Sequence, residues 1–216
     1  MAITSKSLHH SNIVFVFDER GFYMPDNATF ASLFAGRDAK GARFIEDPVL
    51  QTKMLVLPEA KTKITLEGRR LRVDDDSDSE PKSSRVVRDI LAVRDRLFGT
   101  TATLVGFGFN YDIMYRFNTV VPIQSIFKRF FGDKALERQQ LRDLGIQFSV
   151  EDKKRNIVDT WFIKVVSPLE VAIHLNRHFN QKSLPKEADL VTLFSDCYTK
   201  DTDSLIAAFE ENMSFE

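Results

Sequence analysis

A single cysteine, Cys197, is the whole thiol content of the 216-residue chain. That excludes an intrachain disulfide and a cysteine-rich metal centre, and it suits a reducing compartment. No apolar run approaches the ~18 residues needed to cross a bilayer, and the first twelve residues, MAITSKSLHHSN, lack the hydrophobic stretch of a secretory leader. The expectation is a soluble, cytoplasmic protein without membrane contact. Charge of one sign is not in excess either. With a formal net charge of −1, a surface organised around phosphate contacts is not favoured, although local basic patches survive in neutral proteins.

Recognisable catalytic signatures are also missing. The chain has no G-x-S-x-G, no P-loop, no H-E-x-x-H and no kinase motif. No cofactor, metal or catalytic residue is therefore assigned, and a binding role is expected over an enzymatic one. Repeats, heptad arrays and long flexible linkers are absent as well. The chain reads as one domain over residues 1–216, with at most a seam near Asn180–Pro185 before a C-terminal helical pair.

Phenylalanine is what the sequence has in abundance, 19 residues within a 43% hydrophobic composition. Each buried aromatic removes on the order of 150–250 Å² from water, so a thick aromatic core is expected, with an apolar interface as the alternative. The strongest pattern is Thr103–Phe117, TLVGFGFNYDIMYRF. Odd positions from Val105 to Phe117 are aromatic or aliphatic, and even positions are Gly106, Gly108, Asn110, Asp112, Met114 and Arg116. Side chains alternate across a strand, so this run predicts a long central strand with one apolar and one polar face, bent or bulged near its glycines.

Other segments follow the same logic. Residues 1–11 read as a loose polar start before a buried strand at Ile13–Phe17. Asn27 is expected to cap a short helix, Ala28–Ala35. Strands are predicted at Arg43–Ile45 and Lys53–Leu57, and the apolar parity changes across Glu67–Arg70, which signals a hairpin turn. Helical periodicity marks Arg85–Phe98, a helix after Pro122, a second helix from Asp133 to about Asp143, and two C-terminal helices starting near Lys186 and Leu205. Alternation returns at Ile146–Val150, Ile157–Val166 and Leu169–Leu175.

Most candidate chemistries fail on spacing. Asp74–Glu80 offers aspartates at the first, third and fifth places of a calcium loop. The sixth place, however, is Ser79 instead of glycine, and the twelfth is Arg85 instead of glutamate. It reads as a solvated acidic loop, with docking to a basic partner or phosphorylation at Ser77 or Ser79 as alternatives. His174 and His178 lie in an alternating segment, where four residues span about 13 Å, too far for one metal. Gly106-Phe107-Gly108 lacks the third glycine and the helix of a phosphate loop. It predicts a bulge or a close backbone approach, and its functional variant is a glycine face that receives another chain or a ligand. Cys197 reads as a small buried hydrophobe. Basic clusters such as Arg69-Arg70-Arg72 are interspersed with acids and lack an aromatic ladder, so nucleic-acid binding is possible but not favoured.

One polar constellation remains. Gly106, Gly108, Asn110, Asp112 and Arg116 share a strand face, to which neighbouring strands could add His174 with Glu170 and Asn176. It is the candidate ligand- or partner-binding site.

The order of elements is an apolar first strand, a meander, a long helix, the GFGFNY strand, two strands after a helix, and a helical tail. That layout resembles a sporadically distributed, uncharacterised bacterial protein family, in which a long helix likewise precedes a strand of this kind. The resemblance covers most of the chain, implies a single α+β domain and assigns no active site. The expected architecture is α+β, an antiparallel sheet of about six to eight strands with helices packed mainly on one face. The expected role is a non-enzymatic interaction or assembly subunit, with a protein partner or a homo-oligomer. The alternatives are a small-molecule binder or enzyme using the polar face, and a nucleic-acid accessory protein.

Overall fold

A computed structural model describes residues 2–33, 40–99, 102–132 and 143–213. Nine strands form one antiparallel sheet: β1 (Ile3–Phe17), β2 (Arg43–Asp47), β3 (Thr52–Leu57), β4 (Thr62–Glu67), β5 (Arg70–Asp75), β6 (Leu104–Phe117), β7 (Leu144–Asp152), β8 (Ile157–Ser167) and β9 (Glu170–Phe179). Their spatial order is β2-β3-β4-β5-β1-β6-β9-β8-β7. Among the described residues five α-helices accompany them: α1 (Asn27–Ala31), α2 (Val86–Phe98), α3 (Ile123–Phe131), α4 (Glu187–Asp196) and α5 (Thr202–Met213). Nine strands exceed the six to eight expected. Short pieces such as β2 complete backbone ladders with their neighbours and so extend the one sheet. The class is nonetheless α+β with an antiparallel sheet. Among the described residues no helix is long and apolar enough to cross a membrane.

The elements run twice through one order. A long strand, a helix, a set of strands and a helix appear as β1, α1, β2–β5, α2 and again as β6, α3, β7–β9, α4. The sheet order runs outward from the β1–β6 pair in the same way on both sides, β5-β4-β3 against β9-β8-β7, with β2 as one additional edge strand, and α2 meets α4. This pseudo-twofold repeat is carried by topology, which is why no repeat is visible in the residues.

β6 is the strand the sequence predicts. Its odd positions from Phe107 to Phe117 are buried, and Val105 alone is turned out to 39% exposure. The cause is a register shift: Phe17 pairs with Leu104 and Val16 with Gly106, so Val105 is an extra residue. Phe107 stacks on Phe179 at 4.5 Å, Phe109 meets Phe194 of α4 edge-on at 5.2 Å, and the Tyr111 hydroxyl donates to the Phe194 carbonyl at 2.6 Å. Further along the sheet, Phe17 meets Phe98 of α2 at 4.5 Å. Burying each such ring contributes about 1.5–3 kcal/mol, so these contacts bind the helices to the sheet.

Three expectations need correction. Residues 3–11 are strand, not a loose start. Leu8 faces Ile113 in the core, but His9 is an extra residue, and His10 then pairs with Asp112. The bulge flips the alternation, so the inward set changes from Lys6 and Leu8 to Ser11, Ile13 and Phe15. Second, Asp74 and Asp75 are not in a solvated loop. They end β5 and are 1% and 9% exposed, held by partners from other segments. Third, α1 is capped by Asp26, whose carboxylate accepts from the Thr29 amide at 2.7 Å, and it ends at Ala31.

The hairpin turn falls at Gly68, whose φ of 51° suits glycine, and α2 ends at Gly99 as expected. The helix expected over 133–143 lies outside the described residues. In the tail, α4 passes into α5 through one π-helical turn, Cys197–Asp201, with no break. Lys6 anchors that turn: its ammonium donates to the Tyr198 carbonyl at 2.9 Å and to Asp203 Oδ1 at 2.7 Å. Arg177 anchors it from β9, donating to both oxygens of Asp159, to Asp201 and to Cys197 Sγ. Burial pushes the Cys197 thiol up to about 12 against the pull of the Arg177 charge. The side chain is buried, as the sequence implies.

Candidate functional site

The even-numbered face of β6 lies at the pseudo-twofold seam, and one cross-strand row passes through it. Lys63, Asp74, Asn12, Asn110, Asn176, Thr160 and Ser149 are in register on seven adjacent strands. The next row places Asp112 between His10 of β1 and His174 of β9. Over these rows the twisted sheet forms a depression of ≈ 300 Å³, at the small end of ligand-pocket size. Its lining is almost wholly polar. His10, Asn12, Asn110, Asp112, His174 and Asn176 form one side, Thr65, Glu67, Arg70 and Arg72 the other, and Val14 is the one aliphatic residue.

Hydrogen bonds connect this wall across the seam. Asp112 Oδ1 lies 2.6 Å from His174 Nδ1, and that bond is the main reason the Asp112 carboxyl is held below its ordinary range, against partial burial. Asn110 Nδ2 donates to Asn12 Oδ1 at 2.6 Å, and Asn12 Nδ2 meets His10 Nε2 at 3.0 Å. The other ring nitrogen of His10 meets Asp76 Oδ1 at 2.5 Å. Asp74 Oδ1 stands 3.3 Å from His10 Nε2, and Asp74 Oδ2 receives Arg72 Nε at 3.1 Å. The hydrogen bond to Asp74 raises the pKa of His10, burial opposes it, and Asp76 adds to the rise. Burial works to raise the pKa of Asp74, but His10, Arg72 and Lys63 outweigh it, so the carboxyl is lowered.

The halves of the site answer one another. Since Asn12 faces Asn110, the pseudo-twofold relates these two asparagines to each other and Asp74 of β5 to Asn176 of β9, while His10 and Asp112 are cross-strand neighbours in the next row. Each side of the seam carries one carboxylate–imidazole pair, Asp76 with His10 and Asp112 with His174.

Of the residues expected from sequence, Asn110, Asp112 and His174 come together in the depression. Arg116 shares their face but sits opposite Glu170 at the strand end, about 13 Å from Asp112 along the strand, and does not line the depression. Gly106 and Gly108 are buried under β9. A Cβ at Gly108 would lie 2.8 Å from the Arg177 carbonyl oxygen. One at Gly106 would lie 2.8 Å from that of Phe179, with the His178 ring at 3.0 Å. These glycines admit the neighbouring strand, which is the ordinary reading of close backbone approach. His10, Asn12, Arg70 and Arg72 were missed, although alternation read backwards from Ile13 points to Asn12 and His10.

Chemically, the arrangement offers paired acids and bases, carboxamides and two guanidiniums, with no group of three or more ligands able to hold a metal among the described residues. No protein-family model matches the chain and no curated protein sequence matches it, so its function is argued from this geometry.

Proposed function

We propose that the chain is a non-enzymatic cytoplasmic recognition or assembly subunit that holds a partner protein against the even-numbered face of its sheet. The reading takes the helices to lie mainly over the aromatic face, which the contacts of Phe109 and Tyr111 with α4 and of Phe17 with α2 support. The observation that carries it is the polar depression at the seam. Its acids and bases are already matched to one another, which suits a rigid, complementary docking surface. Around it Arg70, Arg72 and Lys63 are balanced by Glu67, Asp74 and Asp112, so the surface gives little support to phosphate-driven nucleic-acid binding.

The test uses Asn176→Arg, which places a long cation on an exposed position of the depression. Tagged full chain should capture a partner from native lysate, or form an oligomer in solution, and the variant should lose it while melting at the wild-type temperature. A strictly monomeric mass with no captured protein, or a partner retained by the variant, overturns the proposal.

One observation favours a second reading. His174, oriented by Asp112 at 2.6 Å in the wall of a depression, has the arrangement of a general base. It predicts that the protein alters at least one component of a mixture of small polar metabolites and that His174→Asn stops this; an unaltered mixture removes it.

A further inference from the structure

All four histidines of the chain lie on β1 and β9, the two strands that flank β6. Histidine is the side chain whose charge ordinarily changes between about pH 5 and 8. Among them His10 has the most constrained surroundings. Nδ1 faces Asp76 Oδ1 at 2.5 Å, while Nε2 has two competing neighbours, Asn12 Nδ2 at 3.0 Å and Asp74 Oδ1 at 3.3 Å. The remaining charged groups around it are Asp112, opposite in register on β6 and bound to His174, with Arg72 and Lys63 behind Asp74 and His9 beside it in sequence.

An amide nitrogen can only donate, so the bond from Asn12 requires a bare Nε2, and the ring proton then sits on Nδ1 against Asp76. A proton arriving from solvent at Nε2 changes both neighbours at once. The new N–H turns to the Asp74 carboxylate in a charge-assisted bond, and the Asn12 amide is left facing another donor. Asn12 is only 6% exposed, so leaving that N–H without a protein acceptor is costly. The remaining satisfied arrangement turns its carboxamide over, with Oδ1 toward His10 and Nδ2 toward Asn110. Asn110 donates to Asn12 Oδ1 in the structure. It must then turn over too, offering Oδ1 to Asn12 and its N–H groups to the depression.

We propose that His10 is a proton-operated selector of the recognition face. With the ring neutral, Asn110 presents a carbonyl to the depression and favours hydrogen-bond donors such as amines, amides or hydroxyls. With the ring charged, Asn110 presents an amide N–H and favours acceptors such as carbonyls or carboxylates. The biological use of the selector rests on the recognition reading above, but its operation does not.

The test is a titration of the full-length 15N-labelled protein from about pH 5 to 8. It follows the side-chain NH2 pairs of Asn12 and Asn110, assigned with Asn110→Asp, together with the His10 ring. Both pairs should move with the single midpoint of His10, and His10→Gln should flatten them. Pairs that stay flat in the wild-type protein while His10 titrates overturn the selector, a result that needs no variant to fold. Movement that persists in His10→Gln overturns it as well. Partner capture at the two ends of the range separates the readings. Equal capture at both counts against the selector and leaves recognition standing, whereas moving amides without any partner sink recognition and leave the selector.

Discussion

Gly108→Ala separates a packing role for the central glycines from a ligand-binding one. The added Cβ would lie 2.8 Å from the Arg177 carbonyl oxygen, while carbon–oxygen contacts settle at about 3.3 Å or more, so β6 and β9 must part by roughly 0.5 Å. The obstacle is backbone, inside a ladder that continues to Arg116 and Glu170, and cannot swing aside as a side chain would. Overpacking of this kind costs about 1–3 kcal/mol. Removing glycine's freedom in the unfolded chain returns about 0.4–1 kcal/mol. The net expectation is about 1–2 kcal/mol of destabilisation, which for a chain of this length lowers the melting temperature by about 2–8 °C. Urea and thermal melts followed by circular dichroism measure it. A variant as stable as wild type would refute the close-approach argument, most clearly if it also lost a bound partner.

Arg177→Ala should be more damaging, about 3–5 kcal/mol, because it strips the partner from Asp159 and Asp201 in a nearly buried site. A urea-midpoint change equivalent to less than about 1 kcal/mol would contradict that. Stability should also pass through a maximum with pH. Asp74 and Asp112 are held below their ordinary value of 3.8, so their contribution is complete above that value and is lost as pH falls through the lowered folded values. His10 is raised above 6.5, so its contribution is complete below 6.5 and is lost as pH rises through the raised value. His10→Gln should flatten the alkaline limb of a melting-temperature profile and shrink the part of the acid limb that Asp74 owes to His10; an unchanged alkaline limb would argue against the pairing of His10 with Asp74 and Asp76.

What could be read from sequence was whatever strict periodicity carries. β6 from Gly106 onward, α2 and the two strands of the β4–β5 hairpin each keep one period, and the structure reproduces these elements within a residue or two. β1 escaped because the extra residue at His9 reverses its alternation halfway, making Lys6 and Leu8 inward on one side of the bulge and Ser11 and Ile13 inward on the other. The acidic run at Asp74 and Asp75 escaped for another reason. A carboxylate goes inside only when partners meet it, and Arg72, Lys63 and His10 converge on Asp74 only after folding. The site divides along the same line. Asn110, Asp112 and His174 sit among apolar residues that mark the alternation, whereas His10 and Asn12, though in phase with Ile13, lie in the polar run His9–Asn12, where no apolar neighbour marks it.

The β1–β6 seam also bears on the order of folding. β2 to β5 and β7 to β9 are built from hairpins between consecutive strands, which close short loops at small entropic cost. The seam joins residues such as Asn12 and Asn110, 98 positions apart. Contacts of that range slow folding and are the natural last step, with the two hairpin sets formed first and the long strands zipping between them. The depression exists only after that zipping. A molecule that occupies it would recognise the finished fold alone, and by binding would hold the two halves of the chain together.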